Sequence, residues 1–222
     1  MPPIVTARAD PSNASTTHMD RTTALAAHHP ISLVVVGASG SDGLRQLVTF
    51  VAAMPASLSA AVLVVLHRPA DRPSHLPAIL ARSSHLRVVV PVQGERLRTG
   101  VCYLADRDHH LSVGASSTVE LTPDHRYRNR TVDLLFTAAA RHARDRVIGV
   151  VLEGALSDGA AGLAAIRRAG GGAMVLDAHP GRRGGMPQAA RGAVPDAQVA
   201  NSPAELAAAV LASLAAADSL PA

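Results

Sequence analysis

From Ile31 to Val36 the chain runs I-S-L-V-V-V without a charge and then meets Gly37. A short, β-branched apolar run of that kind predicts a strand covered on both faces. Gly43–Met54 follows with Leu44, Leu47, Val48 and Val51 at helical spacing, which predicts a helix with one stripe toward a core. The alternation continues through strand Ala61–Leu66, helix Ser74–Arg82 with Ser74 as its N-cap, and strand Leu86–Val92. From about residue 94 to 122 the pattern breaks into short pieces between turn residues: 100–104, 110–113 and 118–121. These predict antiparallel hairpin strands. Helix Thr131–Arg144, strand Val147–Leu152 and helix Asp158–Ala169 come next, the last closed by Gly170-Gly171-Gly172. Strand Ala173–Leu176, a short helix Pro187–Arg191 and a terminal helix Pro203–Ala216 complete the chain. The expected fold class is therefore α/β. It is a doubly wound, mainly parallel sheet with helices on both faces and an antiparallel hairpin excursion. Sites in such sheets lie beyond the carboxyl ends of the strands, at a topological switch point.

Composition adjusts this picture at a few places. With 222 residues, 48% hydrophobic and 17% charged, the chain can bury a sizeable core and is not of disordered composition. Residues 1–30 are expected to be a disordered leader, since they hold no apolar secretory core; residues 31–217 form one expected domain, and 218–222 a tail. Leu47–Leu66 is free of charge, but Pro55, Ser57 and Ser59 split it, so no membrane insertion is expected. All 21 basic residues are Arg, scattered along the chain, and only two Phe and two Tyr accompany them. That is no nucleic-acid footprint. A single cysteine, Cys102, excludes an internal disulfide framework and fits a reducing, cytoplasmic setting.

Three strand ends carry reactive groups. The first ends in Gly37-Ala38-Ser39-Gly40, the second in His67, and the strand Val147–Leu152 leads through Glu153-Gly154-Ala155-Leu156-Ser157 to Asp158. A hydroxyl, an imidazole and a carboxylate converging from separate loops are the set that nucleophilic acyl transfer requires. Each also has a structural reading. Ser39 and Asp158 are both natural helix N-caps, and His67 is an ordinary turn residue.

Over Leu33–Ala216 the chain resembles the catalytic domain of the CheB-type chemotaxis-receptor methylesterases. The resemblance is carried by V-V-V-G-A-S (34–39), V-L-V-V-L-H-R-P (62–69), R-L-R-T-G-V-C-Y-L-A (96–105) and T-V-D-L-L-F-T-A-A-A (131–140). It continues through H-H-L-S-V (109–113), G-V-V-L-E-G-A-L-S-D-G-A-A-G-L (149–163) and G-G-M-P-Q-A-A (184–190). The resemblance implies Ser39 as nucleophile, His67 as its base and Asp158 as the carboxylate that orients His67. It implies hydrolysis of glutamate γ-methyl esters, and deamidation of glutamine, on methylated cytoplasmic helices of chemoreceptors or a related signalling protein. Backbone N–H groups at Gly40 and Ala155 are the implied oxyanion donors. The family's usual N-terminal receiver domain has no counterpart in residues 1–30.

The departures from the family pattern cluster at the rim: Ser41 and Asp42 follow Gly40, Glu153 stands in place of a Thr, Ala155 in place of a Met, and Arg130-Thr131 in place of Pro-Ser. Met186 is a further rim candidate. These changes motivate the alternative of a degenerate member acting as a binding or regulatory module. A nucleotide-binding Rossmann-like domain is the other alternative. Gly37, Gly40 and Gly43 form a glycine turn but not G-x-G-x-x-G, and the second strand ends in His67-Arg68 rather than an acidic residue. An α/β-hydrolase esterase is disfavoured by the Ser, His, Asp chain order. No cofactor is implied. The densest ligand cluster, Asp106, Asp108, His109 and His110, lacks zinc spacing, and adjacent strand histidines face opposite ways, so no metal is expected. His28-His29 falls in the leader.

Overall fold

The computed structural model describes residues 31–67, 75–106, 108–123, 130–179 and 184–219. Ser32–Ser39 forms β1, buried along all of its length but Ser39. In chain order there follow α1 (Gly40–Ala52), β2 (Ala60–His67), α2 (Leu76–Ser83), β3 (Arg87–Val89) and β4 (Val101–Leu104). Next come β5 (His109–Gly114), β6 (Thr118–Pro123), α3 (Thr131–Ala143) and β7 (Val147–Val151). The described chain ends with α4 (Ala160–Arg168), β8 (Gly172–Leu176), α5 (Met186–Ala193), β9 (Gln198–Ala200) and α6 (Pro203–Asp218).

Seven strands form one sheet in the order β3-β4-β2-β1-β7-β8-β9, and every pairing in it is parallel. Side chains alternate across β1 because the strand period is two. Val34, Val36 and Ala38 pack with Leu47, Phe50 and Val51 of α1 and Leu206 and Val210 of α6. Leu33 and Val35 pack on the other face with Val132, Leu135 and Phe136 of α3 and Leu163 and Ile166 of α4. Two apolar layers thus sandwich the sheet, which is why Leu33–Val36 and Ala61–Leu66 are unbroken apolar runs.

The connections fix where a site can form. From β1 the chain moves out to β2 and on to the β3–β4 edge, then returns to pair β7 on the other side of β1. The order reverses between β1 and β7, so the switch point lies at their carboxyl ends. Ser39 is the last residue of β1, and its register partner on β2 is His67.

The expected doubly wound sheet and hairpin are present, with corrections in detail. Val101–Leu104 is a parallel strand of the main sheet, paired with β2 and β3, and not a hairpin strand. All four of its residues are buried, the burial expected of an inner parallel strand rather than a hairpin strand with one solvated face. The hairpin itself is β5–β6, and residues 94–97 run beside β6 through Gly94 N–H to Val119 O and Leu97 N–H to Ser117 O. On β5, His110 is buried while His109 is partly exposed, as alternation requires. α1 starts at Gly40 rather than Gly43, β3 is shorter than Leu86–Val92, and β9 has no counterpart among the predicted strands. Ser74 and Arg68 lie outside the described residues. No described helix is long and apolar enough to cross a membrane.

Candidate active site

Ser39 occupies the junction where β1 turns into α1. Its own backbone is extended (φ −147°, ψ 145°), and Gly40 carries the turn at φ +72°. A Cβ at Gly40 would meet nothing within 4 Å, so glycine is needed there for its backbone conformation rather than for room. Ser39 is the N-cap residue of α1 by position, yet its side chain makes no capping bond. The capping reading of Ser39 therefore fails, and its hydroxyl is left at the positive end of a helix.

The loop after β7 wraps this turn. Leu152 N–H donates to Gly37 O at 2.9 Å, and Ser39 N–H donates to Glu153 O at 2.9 Å. Two glycines make the approach close. A Cβ on Gly43 would stand 2.6 Å from Glu153 O, and one on Gly154 would stand 2.2 Å from Met186 Sδ and 2.8 Å from Ser39 Cβ. The space at Gly43 is therefore filled by the backbone of the loop after β7. Met186 N–H closes the layer by donating to Gly154 O at 2.9 Å. Met186 is fully buried, a support beneath the site and not a residue of its rim.

Residues 39–42, 153–156 and 184–185 line a pocket of about 380 Å³ around Ser39. Neither Gly40 N–H nor Ala155 N–H has a backbone hydrogen-bond partner among the described residues, and both residues line the pocket. Ser41 and Asp42 stand at the mouth, where Asp42 accepts a hydrogen bond from Arg45 one turn on. The Asp42 charge is thus compensated on the exposed side of α1. Glu153 is buried at the pocket wall. Leu156 stands over the mouth at φ +65° and 76% exposure, a left-handed conformation that a bulky residue seldom adopts. A larger cleft of about 650 Å³ lies between the β5–β6 hairpin and α3 and holds none of Ser39, His67 or Asp158.

Beside the pocket, His67 Nε2 lies 2.5 Å from Asp158 Oδ2. The Asp158 side chain is 5% exposed and that of His67 24%, so the carboxylate is shielded while the ring retains an open edge. Asp158 also accepts Val132 N–H at Oδ2 (3.0 Å) and Asp133 N–H at Oδ1 (2.9 Å). These are first-turn donors of α3, whose own N-cap residue, Arg130, supplies no side-chain acceptor. Asp158 therefore caps α3, not its own helix α4, and binds His67 at the same time. With Nε2–H donated to Asp158, Nδ1 is the nitrogen left to accept a proton. Thr131 Oγ1 stands 3.4 Å from Nδ1 and 3.3 Å from Nε2, a contact along the ring edge. No hydrogen bond joins Ser39 Oγ to His67; the two residues are neighbours in register, on strands about 4.8 Å apart.

Sequence reasoning did not assign the roles played here by Thr131 and Asp133. Asp133 Oδ1 accepts Gly159 N–H (3.0 Å) and Gly162 N–H (2.7 Å), so it caps α4 in return. Burial pushes its carboxyl above the usual range, and the charge of Asp158 adds to the rise against the two N–H bonds. The T-x-D pattern at a helix start was the available signal. Among the described residues no group of three His, Cys, Asp or Glu is placed to hold a metal ion. Asp106 is instead paired with His109 at 2.8 Å.

Known proteins can be set beside this geometry. The chain is 36% identical over 178 residues to a protein-glutamate methylesterase/protein-glutamine glutaminase of Bordetella avium, covering 79% of this chain and 52% of that one. It is 34% identical over 179 residues to another of that description from Caulobacter vibrioides, covering 78% and 50%. The chain thus spans about half the length of these curated relatives. The crystal structure of the Thermotoga maritima CheB methylesterase catalytic domain superposes with a TM-score of 0.71 at 26% identity, covering 82% of this chain and 97% of that one. The family model of the CheB methylesterase matches residues 34–210, most of the chain. The chain belongs to the CheB methylesterase family.

Proposed function

We propose that the chain is a carboxylic ester hydrolase that removes the methyl group from glutamate γ-methyl esters on chemoreceptors, and that the same site deamidates glutamine. The supporting observation is the His67–Asp158 contact at 2.5 Å, at the carboxyl end of the strand beside the one that presents Ser39. Ser39 Oγ attacks the ester carbonyl carbon while His67 Nδ1 takes the hydroxyl proton. Asp158, already holding Nε2–H, stabilises the imidazolium that forms. Gly40 and Ala155 N–H groups receive the oxyanion; loss of one such donor costs other enzymes about 10²–10³ in kcat. Collapse of the tetrahedral intermediate breaks the carbonyl carbon–methoxy bond, and His67 returns the proton so that methanol leaves. Water then hydrolyses the acyl-enzyme, giving the glutamate carboxylate and free Ser39. With glutamine the leaving group is ammonia.

The proposed substrate is a methylated cytoplasmic helix of a chemoreceptor, with the enzyme in the cytoplasm beside it; the names of the relatives, protein-glutamate methylesterase/protein-glutamine glutaminase, support a protein-bound glutamate or glutamine as the group acted on. The Ser39 pocket is open to such a side chain, and no metal or cofactor enters the reaction as written. The test is methanol release from a methylated receptor fragment, with Ser39→Ala as control. Release that depends on Ser39 is expected. Folded protein that releases none, while still binding the fragment, would replace this reading with that of a binding module.

A further inference from the structure

We propose that Asp133 is a positioning residue of this site: its carboxylate holds the loop that carries Asp158 and so sets how Asp158 meets His67. The inference rests on the Ser39–His67–Asp158 reading above. Helix α4 has no cap of its own, because its N-cap residue is Gly159, at φ +95°. The acceptor for its first N–H groups comes from α3 instead, as Asp133 Oδ1 binds Gly159 N–H at 3.0 Å and Gly162 N–H at 2.7 Å. The peptide adjoining Asp158 is thereby tied to Asp133, and the Asp158 carboxylate is tied to the same residue through Asp133 N–H at 2.9 Å. Asp158 is held at both its backbone and its side chain by one residue.

An ordinary cap closes its own helix and reaches no further. Here each carboxylate caps the helix beside the other, and one of the two also grips His67. Without the Asp133 oxygen, Gly159 and Gly162 N–H lose their acceptor, and a glycine at positive φ offers the loop an easy hinge. Both of the Asp133 side-chain bonds end on one oxygen, Oδ1, which serves as an acceptor to backbone N–H groups and pairs with no cation among the described residues. An amide keeps that acceptor, so Asp133→Asn should substitute and Asp133→Ala should not.

The test compares both variants by steady-state methanol release, normalised to folded protein, and by the NMR signal of the His67 imidazole N–H bonded to Asp158, assigned with a His67 variant. Asp133→Ala is expected to lower kcat on the order of 100-fold with KM little changed. The imidazole signal should then be lost or exchange-broadened while the fold persists. Asp133→Asn is expected to retain the signal and kcat within a few-fold. A folded Ala variant with native kcat and the signal in place would overturn the proposal, as would failure of both variants to fold. The signal requires no substrate. Wild-type protein that shows it but releases no methanol would sink the esterase reading and leave the positional test standing.

Discussion

Replacing Gly154 by Ala should separate the packing of this site from its chemistry. The added methyl would stand 2.2 Å from Met186 Sδ and 2.8 Å from Ser39 Cβ. Non-bonded heavy atoms settle at about 3.5 Å or more, so the sulfur must retreat about 1.3 Å and the serine carbon about 0.7 Å. Met186 is fully buried and cannot simply swing into solvent. Overpacking of this kind costs about 1–3 kcal/mol, or a fall in Tm of roughly 2–12 °C for a chain of this size. A nucleophile displaced by a large fraction of an ångström should lose roughly 10- to 100-fold in kcat/KM. Thermal unfolding and methanol release read the two effects separately. Adding Met186→Ala removes the closer clash but leaves Ser39 in place, so the pair should couple favourably in stability by about 0.5–3 kcal/mol without recovering activity. Native Tm and native kcat/KM in Gly154→Ala would refute the reasoning.

Further outcomes follow from the same contacts. Ser39→Ala should lower turnover by about 10⁴-fold or more yet leave stability within about 0.5 kcal/mol, because the side chain caps nothing; a denaturant titration checks this against the roughly 1 kcal/mol of a true cap. Leu156→Gly should raise stability by up to about 1 kcal/mol, since φ +65° strains leucine and its 76% exposure leaves little burial to lose; a thermal melt measures it. Burial pushes the Cys102 thiol up to about 12 from its usual 9.0, so native protein at pH 8 should react with a thiol reagent only as fast as it opens. The unfolded thiol ionises first, so stability should fall as pH rises from about 9 toward 12, by at most about 1.4 kcal/mol per unit from this group. Urea titrations of Cys102→Ala should lack that slope.

The central strands were legible because burial on two faces leaves an unbroken apolar run, as in Val34–Val36 and Val62–Val65. The same property misled at Val101–Leu104, where flanking glycine turns suggested a hairpin and only the pairing partners show an inner parallel strand. Gln198–Ala200 is short and half exposed, with no period to read. At the site, Ser39 and Asp158 could be located at strand ends, but their side-chain directions could not. Whether Asp158 caps its own helix or a neighbour's depends on where α3 arrives across the sheet. Asp133 shows the limit more sharply. In sequence it is an acid in a helix's first turn, and only tertiary contact with Gly159 and Gly162 gives it an effect on His67. Asp42 reads in sequence only as a departure at the rim, and the structure shows it met by Arg45 on the exposed side of its helix.

The central claim is that Ser39 is a nucleophile made reactive by His67. The most direct measurement is the site and rate of fluorophosphonate labelling, mapped by mass spectrometry in the wild type, His67→Ala and Asp158→Asn. A single adduct on Ser39, lost in His67→Ala and strongly slowed in Asp158→Asn, is the expected result. An adduct on another serine, or labelling of Ser39 at the same rate without His67, would contradict it.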